Sequence, residues 1–155
     1  MTQKLLIRSA QEKDCSEIIK LIKELADYEK LSDMVIVSEE DIRKVLFGNN
    51  CFVEILIAEF DGEIAGQALF FKNFSTFLGK PGIYLEDLFV RPKFRSKGIG
   101  RALLEKVIDL AKERDYGRVE WSVLDWNESA IKFYKILGAE ELKEWKLFRL
   151  TADKF

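Results

Sequence analysis

The chain has 155 residues, of which 48% are hydrophobic and 34% are charged, values typical of one globular domain. No apolar run reaches the roughly 20 residues of a membrane span and no signal peptide opens the chain, so we expect a cytoplasmic protein that does not bind membranes. A formal charge of −2 and a pI near 5.4 argue against a nucleic-acid partner. The absence of histidine excludes Ser-His-Asp and Cys-His catalysis and removes most zinc sites, and Cys15 and Cys51 have no metal-binding spacing, so we expect no metal.

The N-terminal region predicts a strand followed by a helix. Leu5-Leu6-Ile7 is a short apolar run with strand character. Ser9 and Glu12 have the spacing of a capping box, which predicts that a helix begins there. We expect this helix to end near Tyr28. Its apolar stripe has helical period and consists of Ile18, Leu21, Ile22 and Leu25.

A second helix and a hairpin come next. Ser38 and the three acids after it predict the start of a shorter helix, which stops at Gly48. Residues 52–60 and 63–74 predict two strands, and Asp61-Gly62 between them is a hairpin turn signal.

A central strand and a third helix follow the hairpin. Gly79, Pro81 and Gly82 predict a loop over residues 75–82. Residues 83–90 are apolar almost throughout, which is typical of a central strand. The buried face of the next helix is marked by Ile99, Leu103, Val107, Leu110 and Ala111.

The last part of the chain predicts two more strands around a fourth helix. Residues 118–124 form the first strand, and Asn127 is the N-cap of a helix that Gly138 ends. Leu147-Phe148-Arg149-Leu150 is the last strand. The order of six strands and four helices predicts one α/β domain with a mixed sheet flanked by helices.

The most informative segment is the turn between the strand 83–90 and the third helix. It reads Arg95-Ser96-Lys97-Gly98-Ile99-Gly100-Arg101. Glycines let the backbone approach a ligand, and the free N–H groups of a helix start attract anions. The turn is basic although the chain is acidic, which indicates a polyphosphate small molecule. Its cations are Arg91, Lys93, Arg95, Lys97 and Arg101.

Three types of glycine-rich phosphate loop are compared with this turn. A P-loop needs G-x-x-x-x-G-K-[ST], which the segment from Gly98 does not supply. A dinucleotide fingerprint needs a third glycine, where this chain has Leu103. The remaining pattern, [Q/R]-x-x-G-x-[G/A], is fulfilled by residues 95–100. A plain helix start in a basic loop is the structural alternative.

The context of the turn resembles the GNAT superfamily of acetyl-CoA-dependent N-acetyltransferases. The motif is preceded by an apolar strand ending in Val90-Arg91-Pro92 and followed by Asn127, Phe133-Tyr134 and Gly138. The match to the spermidine/spermine (diamine) N-acetyltransferases, which include thialysine acetyltransferases, is closer. It rests on residues 21–29, 84–90, 126–128 and 133–135.

The resemblance implies one acetyltransferase domain over residues 1–155 and its fold. The sheet is expected to be mixed and mostly antiparallel, with six to seven strands and about four helices, and to splay at its central parallel strands. Acetyl-CoA would be the co-substrate, with the thioester polarised by main-chain groups near Leu88. The implied cofactor contacts are Leu88, Phe89, Val90, Arg95, Ser96, Lys97, Gly98, Ile99, Gly100, Arg101, Asn127, Ser129 and Tyr134.

Catalysis and amine binding are also assigned by the resemblance. Glu86 would be the base, directly or through water, and Tyr134 would protonate the thiolate of coenzyme A. Glu86 and Asp87 are adjacent on a strand, so they point to opposite faces unless the strand carries a bulge. The expected substrate-binding residues are Tyr28, Glu29, Glu86, Asp87, Glu120 and Glu144.

The reaction implied is acetylation of a primary amine of a small cationic, polyamine-like substrate in a ternary complex. The alternatives are thialysine or another amino acid, a protein N-terminus, or a non-catalytic acyl-CoA sensor. The family also implies a homodimer. The alignment beyond Leu142, and with it the position of Glu144, stays open.

Overall fold

The computed structural model describes residues 2–155. Within them the chain forms two compact units, one ending at Ser122 and one comprising Val123–Phe155. The described residues contain five β-strands and four α-helices. In chain order these are β1 (Leu5–Ser9), α1 (Cys15–Tyr28), α2 (Glu39–Phe47), β2 (Val53–Phe60), β3 (Glu63–Ser75), β4 (Lys80–Val90), α3 (Ile99–Glu113), β5 (Val119–Trp121) and α4 (Glu128–Ile136).

The five strands form one mixed sheet in the order β1-β2-β3-β4-β5. All neighbours are antiparallel except β4 and β5, which are parallel over Ile83–Leu85 and Val119–Trp121. This pairing ends at Leu85, so residues 86–90 of β4 extend beyond their parallel neighbour. The α/β class, the mixed sheet and the four helices are confirmed.

The predicted number of six to seven strands is wrong, because residues 147–150 form no strand. A strand is stabilised by hydrogen bonds to a neighbouring strand, and within the described residues this segment pairs with none. The parallel pair consequently lies at the edge of the five-stranded sheet and not at its centre. The side chains of Leu147, Phe148 and Leu150 are exposed.

A β-bulge interrupts the ladder between β3 and β4. Leu69 lies opposite Asp87, but the next residue, Phe70, lies opposite Leu85. Glu86 is therefore the extra residue on β4, and the strict alternation of side chains is broken at this point. Glu86 and Asp87 therefore need not point to opposite faces of the sheet.

The hydrophobic core occupies both faces of the sheet. The first face buries Ile55, Ile57 and Leu69 against α1 and α2. Alternation places their buried neighbours Leu56 and Phe70 on the other face, where α3 contacts β3 and β4. The buried residues of α3 are Ile99, Leu103, Leu104, Val107 and Ala111.

The start of α1 differs from the prediction at Ser9. The backbone N–H of Gln11 donates to the Asp14 carboxylate at 2.7 Å, and the α-helix begins only at Cys15. Ser9 instead belongs to β1, because its backbone pairs with Leu56 of β2. Strand pairing thus overrides a local capping signal.

The remaining predicted elements are present, but two of them are shorter than predicted. Ser38 caps α2 through a reciprocal capping box with Asp41. The predicted loop 75–82 is shorter, because residues 80–82 pair with residues 73–75 and extend the hairpin. The strand predicted over residues 118–124 is limited to Val119–Trp121.

The unit Val123–Phe155 contains α4 and an irregular C-terminal segment. The Asn127 side chain caps α4 by accepting from the N–H of Ala130 at 3.4 Å. Gly138 follows the helix with φ +92, a conformation that favours glycine. None of the helices within residues 2–155 combines the length and the apolar character needed to cross a bilayer.

Candidate active site

The glycine turn after β4 presents backbone donors at the start of α3. Ser96 and Gly98 both have positive φ, at +63 and +77, the left-handed conformation found in tight turns. The first helical bond runs from Ala102 N–H to Gly98 O at 3.0 Å. The N–H groups of residues 99–101 precede it and are directed out of the helix end, as an anion site requires. A positive φ at a non-glycine residue is also a form of strain that is concentrated at functional sites.

Much of the positive charge around this turn is bound to nearby acids. Arg91 donates to Glu17 at 2.9 Å and to Glu24 at 3.1 Å, which ties the end of β4 to α1. Lys93 pairs with Glu63, and Arg101 pairs with Glu105 at 2.7 Å. The backbone N–H groups of the turn are therefore stronger evidence for an anion site than the number of cationic side chains is.

Arg95 and Lys97 contact aromatic rings instead of acids. The guanidinium carbon of Arg95 lies 4.9 Å from the centre of the Tyr28 ring and 5.7 Å from that of Phe89. The Arg95 Nε also donates to the carbonyl of Val90 at 3.0 Å. The Lys97 Nζ lies 5.4 Å from the centre of the Phe60 ring.

Three carboxyl groups gather at the bulge of β4. Burial and the charges of Glu86 and Glu29 raise the pKa of Asp87 from 3.8 to about 6. Burial also raises the pKa of Glu29, which is the C-cap residue of α1. Glu86 is exposed and is the extra residue of the bulge. We call Glu29, Glu86 and Asp87 the acid cluster. Their negative charges attract a cation.

Gln67 is a polar residue near the acid cluster that the sequence analysis missed. It is only 1% exposed, and its Oε1 has no hydrogen-bond partner within residues 2–155. Gln67 lies two residues before Leu69, the cross-strand partner of Asp87, and therefore on the same face of the sheet. One amide in the apolar run of residues 64–71 was the available signal.

Glu120 lies on the neighbouring strand β5 opposite Tyr84. Its carboxylate is 3.0 Å from Arg118 Nε and accepts from Asn73 Nδ2 at 3.5 Å. Local groups thus already partner this acid, in contrast to the acid cluster. Its role in substrate binding stays a prediction.

The unit Val123–Phe155 contains the remaining predicted site residues. Tyr134 is half-buried on α4, with its ring centre 5.5 Å from that of Phe133. Ser129 Oγ donates to Asn127 Oδ1 at 3.4 Å, so these two predicted cofactor contacts are joined. Glu144 is exposed in the irregular segment. Glu86 and Tyr134 belong to different units, and their cooperation in catalysis stays a prediction.

Comparison with known proteins decides the family. Residues 18–139 match the model of the acetyltransferase (GNAT) family. The chain belongs to the GNAT family. It is 41% identical to a thialysine N-epsilon-acetyltransferase of Bos taurus, over 96% of this chain and 94% of the relative. It is 34% identical to the L-ornithine N5-acetyltransferase NATA1 of Arabidopsis thaliana, over 95% of this chain and 84% of the relative.

A solved structure also matches this GNAT chain. An integron cassette protein from the mobile metagenome of V. cholerae superposes with a TM-score of 0.80 at 25% identity. The match covers 97% of this chain and 94% of the other. The resemblance to the diamine and thialysine acetyltransferases is confirmed, and the protein is an N-acetyltransferase.

Proposed function

We propose that this GNAT protein transfers the acetyl group of acetyl-CoA to a terminal primary amine of a small cationic substrate. The observation that supports this most is the acid cluster, in which Glu29, Glu86 and Asp87 share one location. Carboxylates whose charges repel one another are stabilised by a bound cation. The cluster lies on β4, the strand that leads directly into the anion-binding turn.

Acetyl-CoA fits the turn and the strand before it. The backbone of residues 96–101 would hold the pyrophosphate at the start of α3, with Lys97 and Arg101 contributing charge. Residues 88–90 extend past the parallel pairing with β5, so their edge is available to the pantetheine arm. Leu88 would orient the thioester carbonyl, and Asn127 and Ser129 would contact the arm.

Acetyl transfer requires a neutral amine, which is rare at pH 7. An alkylamine has a pKa near 10, so roughly one molecule in a thousand is neutral. Glu86 would take the proton, directly or through water, after which the amine nitrogen attacks the thioester carbon. As the C–S bond breaks, Tyr134 would donate a proton to the departing thiolate of coenzyme A, and the second proton lost by the amine nitrogen would return to the Tyr134 oxygen, directly or through water.

The acceptor we propose is a diamine or a diamino acid with an unhindered terminal amine. Relatives named for thialysine and for L-ornithine support this class, since both compounds carry such an amine. A polyamine such as spermidine presents the same group. Tyr28, Glu120 and Glu144 would complete its binding site, with Glu29 and Asp87 nearest to the positive charge.

We further propose a cytoplasmic homodimer. Free thiols at Cys15 and Cys51 suit a reducing compartment. The exposed apolar side chains of Leu147, Phe148 and Leu150 would be covered by the second copy. Sedimentation equilibrium should give twice the chain mass of 18.0 kDa, and a monomer at micromolar concentration would contradict the dimer.

A thiol-release assay tests the proposed reaction. Acetyl-CoA is incubated with thialysine, ornithine, lysine, spermidine and putrescine, and free coenzyme A is measured. Turnover should require an amine and should be fastest with one of these compounds. Binding of coenzyme A without turnover of any amine would contradict the proposal.

Tyr134→Phe tests the proton donor once turnover is established. Removing the hydroxyl should lower kcat about 100-fold, in the range of general acid catalysis. The dissociation constant of acetyl-CoA should change little, because the ring remains. Phe133→Leu, on the same helix, serves as a packing control. An unaltered kcat in Tyr134→Phe, with chemistry rate-limiting, would exclude this role.

A further inference from the structure

The side chain of Arg95 connects two parts of the proposed site. Arg95 opens the glycine turn, whereas Tyr28, whose ring it faces at 4.9 Å, is the last residue of α1. The next residue in the chain is Glu29, a member of the acid cluster. One guanidinium therefore joins the turn that would hold the donor to the helix end that would hold the acceptor.

Several contacts fix the position of this guanidinium. Its Nε donates to the carbonyl of Val90, the last residue of β4, and its central carbon lies 5.7 Å from the centre of the Phe89 ring. The backbone N–H of Arg95 donates to Pro92 O at 3.2 Å. A planar, delocalised guanidinium can stack on a ring and donate in its own plane at the same time, which an ammonium cannot do.

Lys97 provides an internal comparison, because it lies two residues further along the same turn. Its ammonium faces the ring of Phe60, the last residue of β2, and not α1. The two cations of the turn are thus directed at different elements. Only Arg95 of this pair contacts the helix that ends beside the acid cluster.

We infer that Arg95 is a positioning residue that couples acetyl-CoA binding to amine binding, and not primarily a phosphate contact. An anion bound to the turn fixes the backbone that carries Arg95. The guanidinium then holds the Tyr28 ring, and with it the Tyr28-Glu29 end of α1, in the geometry that receives the amine. Such coupling is reciprocal, so a bound amine also favours the donor. The inference rests on the proposed acetyl transfer.

Arg95→Gln and Lys97→Gln form a matched pair that tests this inference. Each removes one positive charge from the turn, and both KM values are measured with the best amine of the panel. Arg95→Gln should raise the amine KM about three- to fivefold, as expected for loss of a surface cation–π contact, and the acetyl-CoA KM less than about twofold. Lys97→Gln should raise the acetyl-CoA KM more than the amine KM. A larger effect of Arg95→Gln on acetyl-CoA, or no effect on the amine, would overturn the inference.

A double-mutant cycle tests whether Tyr28 transmits the effect. Tyr28→Leu removes the ring, whereas Tyr28→Phe retains it. In the Leu background, adding Arg95→Gln should lower kcat/KM for the amine no further, because the contact is already absent. In the Phe background, Arg95→Gln should cause its full loss. Additive losses in the Leu background would overturn the inference.

Two controls separate this inference from other failures. Circular dichroism and thermal unfolding of each variant establish that the fold is retained, and Arg95→Lys, which keeps the charge, provides a second variant. Arg95→Lys should still raise the amine KM, since lysine has no planar group to stack on the Tyr28 ring and no donor at the Nε position that bonds Val90 O. A normal amine KM in a folded Arg95→Lys would contradict the stacking role. If the unmodified protein turns over no amine, the proposed function fails before Arg95 is tested.

Discussion

Asp14 is buried and Asp87 is half-buried, and their pKa values move in opposite directions. Asp14 is 3% exposed and accepts two hydrogen bonds from Arg8, at 2.7 and 2.9 Å. The guanidinium, which also contacts Glu59, holds the pKa of Asp14 below its ordinary value. Asp87 has burial and like charges around it, and its pKa rises to about 6.

The difference separates a structural carboxylate from one that we propose binds a cationic ligand. Asp14 has its counter-ion within the protein, so its charge stabilises the fold wherever both groups are ionised. The acid cluster around Asp87 has negative charges without an equal internal counter-charge, which opposes folding at neutral pH. A bound ammonium would supply the missing charge.

Asp14→Asn should have the largest effect. Leaving the partly buried guanidinium of Arg8 with one fewer anion should lower the free energy of unfolding by about 3 kcal/mol at pH 7. Asp14 titrates below the ordinary carboxyl range when folded, so its contribution is present above pH 4 and is lost as the pH falls through this lowered pKa. Urea unfolding between pH 3 and pH 7 measures both the loss and its pH dependence.

Asp41→Asn is the matched control for this prediction. Asp41 completes the capping box of α2, and Asp14 completes a similar capping box just before α1. Asp41, however, is exposed and bonds to Ser38 instead of to an arginine. Asp41→Asn should therefore lower the free energy of unfolding by less than Asp14→Asn does. Equal losses in the two variants would show that capping, and not the ion pair, explains Asp14.

Asp87→Asn should stabilise the protein at neutral pH. The folded pKa of about 6 lies above the unfolded value near 4, so the ionised carboxylate costs stability that develops between pH 4 and pH 6. Removing it should raise the free energy of unfolding by about 1 to 3 kcal/mol at pH 7.5 and by much less at pH 4. Acetylation should decrease in the same variant, because a negative charge that we propose attracts the amine is lost.

Urea unfolding at pH 4, 5 and 7.5 measures this reversal. The exposed Asp109 of α3 provides the control, and Asp109→Asn should alter stability little at any of these pH values. If Asp87→Asn lowers the free energy of unfolding at pH 7.5, or raises it equally at all three pH values, Asp87 does not differ from Asp14 in the way proposed.

Glu86→Gln should have the smallest effect on stability and a clear effect on rate. Removing the neighbouring charge should lower the pKa of Asp87 towards its ordinary value and relieve part of its repulsion. Without its base the enzyme should be slowest at neutral pH and recover towards pH 9 to 10, where more amine is already neutral. A uniform loss of kcat/KM across this range would indicate a base other than Glu86.

The sequence predicts those parts of the fold that local chemistry determines. Ser38 and Asn127 cap the helices that they were expected to cap, because each reaches a backbone N–H three residues ahead. The Asp61-Gly62 turn joins β2 to β3. The glycine turn also lies between a strand and a helix as predicted, since Gly98 adopts the positive φ that its position needs.

Features that depend on contacts between distant segments of the chain could not be predicted from the sequence. The bulge at Glu86 arises from the register between β3 and β4, and no local pattern specifies that register. The contact of Arg95 with Tyr28 joins residues far apart in the chain. For residues 147–150 the apolar composition favoured a strand, but composition alone does not supply a pairing partner.

The pKa of Asp87 is the most direct test of the claim that the acid cluster binds the amine. It can be measured from the side-chain carboxyl carbon by NMR, with coenzyme A present, before and after saturation with the best amine of the panel. We expect a pKa of about 6 without amine and a clear decrease once the ammonium is bound. A pKa near 4 in the amine-free protein, or no change at saturation, would contradict it.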